Sequence, residues 1–251
     1  MAKKQQAGTP SKRQIIREQR IKRQRQQRLT LILVVAAAAL VVAGLLIWPS
    51  YQASRQPVGV VKTATPHKHP LPDGTALGNA DAPVLIEVWE DFQCPACQGY
   101  SESIEPQVTQ NYIATGKARY VFRNYPFLDA RSATKESHQA ANASMCANEQ
   151  ERFWDYHDIL FTNQNGENQG AFSDKRLVSF AETIGLDMDK FNECFEANRY
   201  KDEIEKDKAD GEAAGVQGTP SVFVNGTIIR PGFVPTYQDI STAVEAALAS
   251  Q

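Results

Sequence analysis

Two cysteines separated by two residues, Cys94-Pro95-Ala96-Cys97, follow an apolar run, Val84-Leu85-Ile86-Glu87-Val88-Trp89, and a short acidic turn, Glu90-Asp91-Phe92-Gln93. Thiols at this spacing, on the first turn of a helix, can form and break a disulfide between themselves, so the chemistry on offer is thiol–disulfide exchange. Pro95 has a fixed φ and no N–H, which suits the first helical position and makes Cys94 the cap residue. The Cys94 sulfur then faces the unpaired N–H groups of the first turn, whose positive field favours thiolate and lowers its pKa below the free value of about 8.5. Cys97, one turn further in, is the less exposed sulfur. Cys94 is thus the sulfur that attacks and is attacked, and Cys97 the one that resolves.

Half of a zinc site would show the same spacing. Zinc takes four ligands, usually from a second Cys-x-x-Cys or a paired His motif, and neither follows here, so no metal is assigned. His67-Lys68-His69 has no further ligand nearby and precedes the stretch expected to fold. His138 and His157 fall at helical positions and are expected to pack or to face solvent.

The elements that must position the dithiol begin with a charge asymmetry. Through Arg28 there are ten Lys and Arg against one acid, Glu18, or +9, and because the whole chain carries −2 the remainder carries −11. Between the two parts, residues 29–48 contain no charge, and at about 1.5 Å per helical residue they span a hydrocarbon core of about 30 Å. A transmembrane helix is expected there. Basic residues stay on the cytoplasmic side, which places the tail 1–28 inside and everything beyond Trp48 outside, with Trp48 and Tyr51 at the outer interface. Ser50-Tyr51-Gln52-Ala53 offers no clean small-x-small cleavage site, so the helix reads as an uncleaved anchor and not a signal peptide. The basic run abutting it reads as an orientation signal touching anionic lipid, not a nucleic-acid arm.

Residues 49–82 are rich in Pro, Gly, Thr and Ala and are expected to form a linker. The catalytic domain is expected over 83–251. Val84 to Trp89 reads as a strand covered on both faces, and Lys117 to Tyr125 as a second, parallel one. The helix between them carries Tyr100, Ile104, Val108 and Ile113 on one side and a kink at Pro106. A helical insert is expected over about 132–214, with Ser132, Ser173 and Asp187 as caps and Gly185 as a stop. Ser221-Val222-Phe223-Val224 and Thr227-Ile228-Ile229-Arg230 flank Asn225-Gly226, a strong hairpin signal, and a last helix runs from about Thr236 to Ala249. Asn142-Ala143-Ser144 and Asn225-Gly226-Thr227 match glycosylation sequons, but helix and turn account for them.

Cys146 and Cys194 lie on separate helices of this insert. Beyond the membrane disulfides persist, and two leftover cysteines are expected to pair as a structural staple. A second redox pair would need an exposed and strained bond.

Strand, helix, strand, helical insert, hairpin and helix is the α/β thioredoxin plan with an inserted all-α subdomain, here preceded by one transmembrane helix. Four motifs make the resemblance specific. They are Cys94-Pro95-Ala96-Cys97 after Asp91-Phe92-Gln93, Arg123-Asn124-Tyr125-Pro126, Cys146-Ala147-Asn148-Glu149-Gln150 before Phe153-Trp154, and Gly218-Thr219-Pro220-Ser221 before the hairpin. From about Pro72 onward the chain resembles the DsbA-like thiol:disulfide oxidoreductases. The resemblance implies a cis bond between Thr219 and Pro220, with Pro220 against the Cys94 sulfur and the Thr219 backbone offered to an extended substrate. It also implies that Pro95 and Ala96 support the site and that the redox-active disulfide needs no cofactor. Its partners would be thiols of exported proteins and a membrane redox partner of the DsbB or vitamin-K-epoxide-reductase type.

Two departures stand out. Many relatives carry a buried Glu six positions before the first cysteine, thought to relay a proton to the second. That position is Val88 here, and either Glu87 or Glu90 could take its place. DsbA itself has a His between its cysteines, which Ala96 cannot replace, so a less oxidising couple is expected. A disulfide-forming enzyme outside the cytoplasm is therefore the expectation. Its alternatives are a reductase or isomerase fed by a membrane electron donor, or a tethered peptide-binding module whose cysteines do no chemistry.

Overall fold

The computed structural model describes residues 23, 25–26, 28–36, 39–45, 58–65, 67–131 and 134–250. It divides into two units, Met1–Pro57 and Val58–Gln251. In the first, helix α1 (Arg28–Leu45) is long and apolar enough to cross a membrane. The expectations for Trp48, Tyr51 and the Ser132 cap lie outside the described residues.

The second unit is built on a five-stranded sheet in the order β1-β3-β2-β4-β5. The central strand β2 (Val84–Glu90) runs parallel to β3 (Ala118–Asn124) and antiparallel to β4 (Ser221–Val224). Val84, Ile86 and Val88 are fully buried, as befits a strand with neighbours on both edges and elements on both faces. β5 (Thr227–Ile229) closes the hairpin with β4, and Asn225 and Gly226 both take positive φ, 46° and 77°. Those values are what a two-residue turn matching the twist of its strands requires. The Asn225 carboxamide also accepts the Leu85 N–H at 2.8 Å, fastening the turn to β2.

One strand lies where a linker was expected. β1 (Ala76–Leu77) pairs antiparallel with β3, and the unit that carries the sheet begins at Val58. Two residues are too few to show a period, and Pro70, Pro72 and Gly74 around them resemble linker composition. His67 and His69 thereby belong to the folded unit and do not precede it.

The crossover from β2 to β3 is broken, not merely kinked. Helix α2 (Pro95–Ser103) ends before Pro106, a one-turn α3 (Glu105–Val108) carries that proline in its first turn, and a π-helical turn (Thr109–Ile113) completes the path. A proline lacks the N–H that would continue the helix, so a new start at Glu105 satisfies the backbone better than a bent single helix.

Helices α4 (Glu136–Asn148), α5 (Phe153–Asn163), α6 (Asp174–Thr183), α7 (Met188–Glu196) and α8 (Lys201–Ala213) are inserted between β3 and β4. α4 starts at Glu136, later than the sequence suggested, where the Asp129 carboxylate accepts the Ser137 and His138 N–H groups of its first turn at 3.1 and 2.9 Å. The Asp187 side chain caps α7 by accepting the Lys190 N–H. Cys146 on α4 is bonded to Cys194 on α7 across 48 positions.

The insert meets the sheet through aromatic rings. Phe92, Phe122, Phe153 and Phe161 enclose the His157 ring, with Phe161 and Phe122 edge-on at 4.9 and 5.5 Å. On the other face, α8 packs on the sheet where Trp89, Tyr125, Val216 and Phe223 form a smaller core. Gly211 permits the approach, since a Cβ there would lie 2.7 Å from the Trp89 indole. The last helix, α9 (Tyr237–Ala249), is opened by a reciprocal Thr236–Asp239 capping box and packs on β2, β4 and β5.

Candidate functional site

The dithiol sits where β2 runs out and α2 begins. Asp91 shapes the turn between them: its carboxylate accepts the Gln93 N–H at 2.9 Å, the Ser137 hydroxyl at 2.7 Å and the Leu128 N–H at 3.1 Å. Burial raises the Asp91 pKa to about 7 against those hydrogen bonds. Cys94 caps α2, with Pro95 at the first helical position. The main-chain N–H groups of Ala96 and Cys97 therefore point toward its sulfur.

The two sulfurs are electrostatically unlike. Cys94, 7 % exposed, has its pKa lowered to about 6, chiefly by the Cys97 thiol donating to its sulfur, then by Thr219 and the helix N–H groups, against the opposing effect of burial. Cys97 is fully buried, and burial first, then its hydrogen bond to Cys94 and the nearby Glu90 charge, push its thiol well above the ordinary range. One sulfur is an anion at neutral pH and the other holds its proton.

Thr219 and Pro220 arrive from the loop before β4. Their peptide bond is cis. The Cys94 sulfur lies 3.4 Å from the Thr219 carbonyl oxygen, to which its thiol form donates. The Thr219 hydroxyl is buried, has no hydrogen-bond partner of its own, and lies near both sulfurs, where it favours their charged forms. Pro95 is exposed and Ala96 half-buried at the rim.

A thioredoxin family model matches residues 71–246. The chain belongs to that family. Within it the chain is one of the DsbA-like thiol:disulfide oxidoreductases, an assignment that rests on relatives named disulfide bond formation protein and on a DsbA-like structural neighbour. The probable disulfide bond formation protein D of Bacillus anthracis is 29% identical over 160 residues, 63% of this chain and 72% of that one. The disulfide bond formation protein D of Bacillus subtilis is 27% identical over 175 residues, 68% and 76% of the two chains. Oxidised BdbD from Bacillus subtilis superposes with a TM-score of 0.63 at 25% identity, covering 75% of this chain and all of that one.

The sequence leaves two acids, Glu87 and Glu90, that could stand beside Cys97. Glu87 does not approach it, since its carboxylate is held by Arg123 at 3.1 Å. Glu90 does. It is 1 % exposed, lies beside the Cys97 thiol, and receives the Tyr120 hydroxyl at 3.4 Å. Burial, and then the Cys94 charge, raise its pKa well above the usual carboxylate range. The signal in the sequence was an acid at the end of an otherwise apolar strand, four positions before Cys94 and not six. Counting six positions back lands on Val88; the sequence left Glu87 and Glu90 open, and the end of β2 singles out Glu90.

Two further residues have surroundings that the sequence did not show. His157 is wholly buried and His69 pairs with Asp158 at 2.9 Å. Among the described residues, Glu90, Glu105 and His157 bring donor atoms to within 4.8 Å of one another. The remaining motifs are structural in placement. Arg123 bridges Glu87 and Asp207 of α8, the Tyr125 hydroxyl donates to the Val216 carbonyl at 3.2 Å, and His138 lies 3.8 Å from Glu205.

Proposed function

We propose that this chain introduces disulfides into exported proteins through the Cys94–Cys97 pair, in a domain held outside the cytoplasmic membrane. The observation that carries the reading is the division of labour between the two sulfurs, with an anionic Cys94 at the rim against Thr219 and a protonated Cys97 buried beside Glu90. A substrate thiolate attacks Cys94 of the oxidised pair. The Cys94–Cys97 bond breaks, its electrons leave on Cys97, and Glu90 supplies the proton that neutralises it. A second substrate thiolate then attacks the substrate sulfur and expels Cys94. The substrate gains a disulfide and the enzyme is left as the dithiol. Because the expelled Cys94 is stable as an anion, it leaves readily and transfer toward substrate is favoured.

Recognition needs little sequence. The Thr219 backbone, next to the reacting sulfur, would pair with an extended substrate segment. The redox-active group is the cysteine pair itself, with no added cofactor. Cys146–Cys194 serves as a staple of the insert. The apolar α1 and the basic residues before it support an anchor with its N-terminus inside. A membrane protein of the DsbB or vitamin-K-epoxide-reductase type would restore the disulfide.

The test is the equilibrium of the Cys94–Cys97 pair with glutathione, together with oxidation of a reduced, unfolded substrate protein. A couple more oxidising than glutathione, with activity abolished by Cys94→Ser, is the expected result. A potential near −270 mV, that of thioredoxin, would instead make the chain a reductase. Retention of activity by Cys94→Ser would make it a binding module.

A further inference from the structure

Beneath the resolving cysteine lies a column of buried polar side chains that packing does not explain. Glu90 at the end of β2 and Glu105 at the start of α3 are 1 % and 3 % exposed, and His157 on α5 is at 0 %. Each has an atom without a hydrogen-bond partner: Oε2 of Glu90, Oε2 of Glu105 and Nε2 of His157, with the Tyr100 hydroxyl as a fourth. Unpaired polar atoms inside a protein each carry a desolvation penalty, and a cluster of them is retained against that penalty.

The column continues outward. His157 Nε2 is 3.7 Å from Glu105 Oε2, and its Nδ1 is 3.1 Å from Asp158 Oδ1. The other Asp158 oxygen is 2.9 Å from His69 Nε2 and 3.9 Å from His67 Nδ1. Side-chain exposure rises along the same line, from 0% at His157 through 8% at Asp158 and 12% at His69 to 34% at His67. A cleft of about 220 Å³, lined by His67, Asp155 and Asp158 among others, opens this end to solvent.

The protonation pattern suits conduction. Burial would raise the Asp158 pKa, but hydrogen bonds from His157 and His69 outweigh it and keep the carboxylate ionised. Nδ1 of His157 must then carry the ring hydrogen, which leaves Nε2 as a lone pair turned toward Glu105. Burial, followed by repulsion from Glu90 and Asp158, raises the Glu105 pKa well above normal, so an acid faces a base. The other titratable groups along the column are Cys94, Cys97, Tyr100 and Tyr120. Burial raises both phenols, and they stay neutral through physiological pH.

We propose that Glu90, Glu105, His157, Asp158 and His69 form a proton path connecting Cys97 to the solvent cleft beside His67. The inference rests on the thiol–disulfide reading of the site. When the dithiol is reoxidised, Cys94 thiolate attacks a partner disulfide, expels one partner sulfur as thiolate, and forms a mixed disulfide. Glu105 passes its proton to His157 Nε2 while the Nδ1 hydrogen leaves through Asp158 and His69, and Glu90 refills Glu105. Cys97 then gives its proton to the vacated Glu90 and attacks the Cys94 sulfur, expelling the second partner sulfur as thiolate. When substrate is oxidised, Cys97 leaves as thiolate and takes a proton from Glu90. Glu90 is refilled from Glu105, Glu105 from His157 Nε2, and Nδ1 from the outside through His69 and Asp158. One passage in each direction per cycle returns His157 to its starting tautomer.

The experiment uses the full-length protein in detergent, reduced and mixed rapidly with oxidised glutathione. Formation of the mixed disulfide needs Cys94 alone, whereas ring closure needs Cys97 to lose its proton, and the two phases are separated by trapping with acid. His69→Ala and Asp158→Asn are expected to slow ring closure about fivefold or more without altering the first phase, the Cys94 titration or the glutathione equilibrium. Added imidazole should restore the His69→Ala rate. His69 lies at the margin of the fold, so its variant stays informative if Asp158→Asn does not fold. Wild-type ring closure in His69→Ala and in His157→Gln, with the wild-type enzyme active, would overturn the path. So would stoichiometric metal on the purified protein that is lost in Glu105→Gln. If the wild type does not exchange with glutathione at all, the thiol–disulfide reading fails first and takes the path with it.

Discussion

The Cys94 sulfur rests 3.4 Å from the carbonyl oxygen of Thr219, a residue 125 positions further along the chain. The contact joins the start of α2 to the loop before β4, and through it the β4–β5 half of the sheet takes part in setting the charge on Cys94. Replacing Thr219 by Val keeps the backbone and the branched shape but removes the hydroxyl that lies near both sulfurs. The Cys94 pKa is expected to rise from about 6 by roughly one unit, since a hydrogen bond to the charged form favours it. Thiolate absorbance near 240 nm against pH measures this directly, and an unmoved midpoint would remove Thr219 from the account.

The same lowered pKa fixes how stability of the dithiol form depends on pH. Cys94 ionises more easily in the folded chain, about 6 against an ordinary 9. The stabilisation is therefore fully present above the unfolded value near 9 and is lost as pH falls through 6. Three units correspond to an upper figure of about 4 kcal/mol at alkaline pH and to about 1.4 kcal/mol at pH 7. Urea melts of wild type and Cys94→Ser in the reduced state should diverge between pH 6 and 9. Parallel curves would mean that the sulfur is not a stabilised anion.

Glu90 works in the opposite sense. Burial raises its pKa, so from the ordinary value of 4.5 upward the folded chain holds a proton that the unfolded chain has lost, and stability falls as pH rises. Glu90→Gln cannot ionise and escapes that fall. The variant is expected to gain stability relative to wild type from pH 5 to pH 8 while slowing the steps in which Cys97 gains or loses a proton by about 10²-fold or more. Urea melts at the two pH values, paired with single-turnover rates, test both halves. A variant equal to wild type in rate would show that Cys97 exchanges its proton elsewhere.

The contrast between Cys94 and Glu90 shows what the sequence could and could not reveal. The dithiol, the hairpin at Asn225-Gly226 and the start of the last helix near Thr236 are set by local rules, so residue types and spacing located them. The choice of Glu90 over Glu87 became possible only once β2 had an end and α2 an orientation, because its neighbour Cys97 belongs to the next element. His157 looked like a packing residue and does pack, against Phe92, Phe122 and Phe161. Its polar contacts come from Glu105 and Asp158, and the former lies 52 positions away on another helix. His69 was hidden for a different reason. The proline-rich composition around it resembles a linker, whereas tertiary contacts hold it, with its ring stacked 5.2 Å from Trp154 and bonded to Asp158.

Gly211 is a second feature that local reading passed over, since a glycine in a charged helix looks like a mere weak point. Its purpose is closeness. A Cβ at 211 would meet Trp89 atoms at 2.7 Å and Tyr125 at 2.9 Å, and both are rings of the smaller core that cannot swing aside. Gly211→Val is expected to push α8 off the sheet and to lower stability by about 2–3 kcal/mol, within the range for overpacked interiors. Gly211→Ala should do the same more mildly. A chemical melt compares them, and a gain in stability for Ala from helix propensity alone would show that α8 can slide without penalty.

Cys146 and Cys194 close a loop of 48 positions that includes α5, α6 and most of the helix pairs of the insert. Loop closure of this size restricts the unfolded chain by about 4 kcal/mol in the entropy model, less whatever the folded state loses to strain. Both sulfurs are buried, at 1 % and 0 %, so neither can be reached by a substrate thiol while the insert is folded. Replacing both by Ser is therefore expected to lower stability by about 2–4 kcal/mol while leaving exchange at Cys94 intact at temperatures where the variant stays folded. Melting curves and single-turnover assays on the same sample separate the two effects. Loss of turnover in a fully folded double variant would turn the staple into a participant in electron transfer.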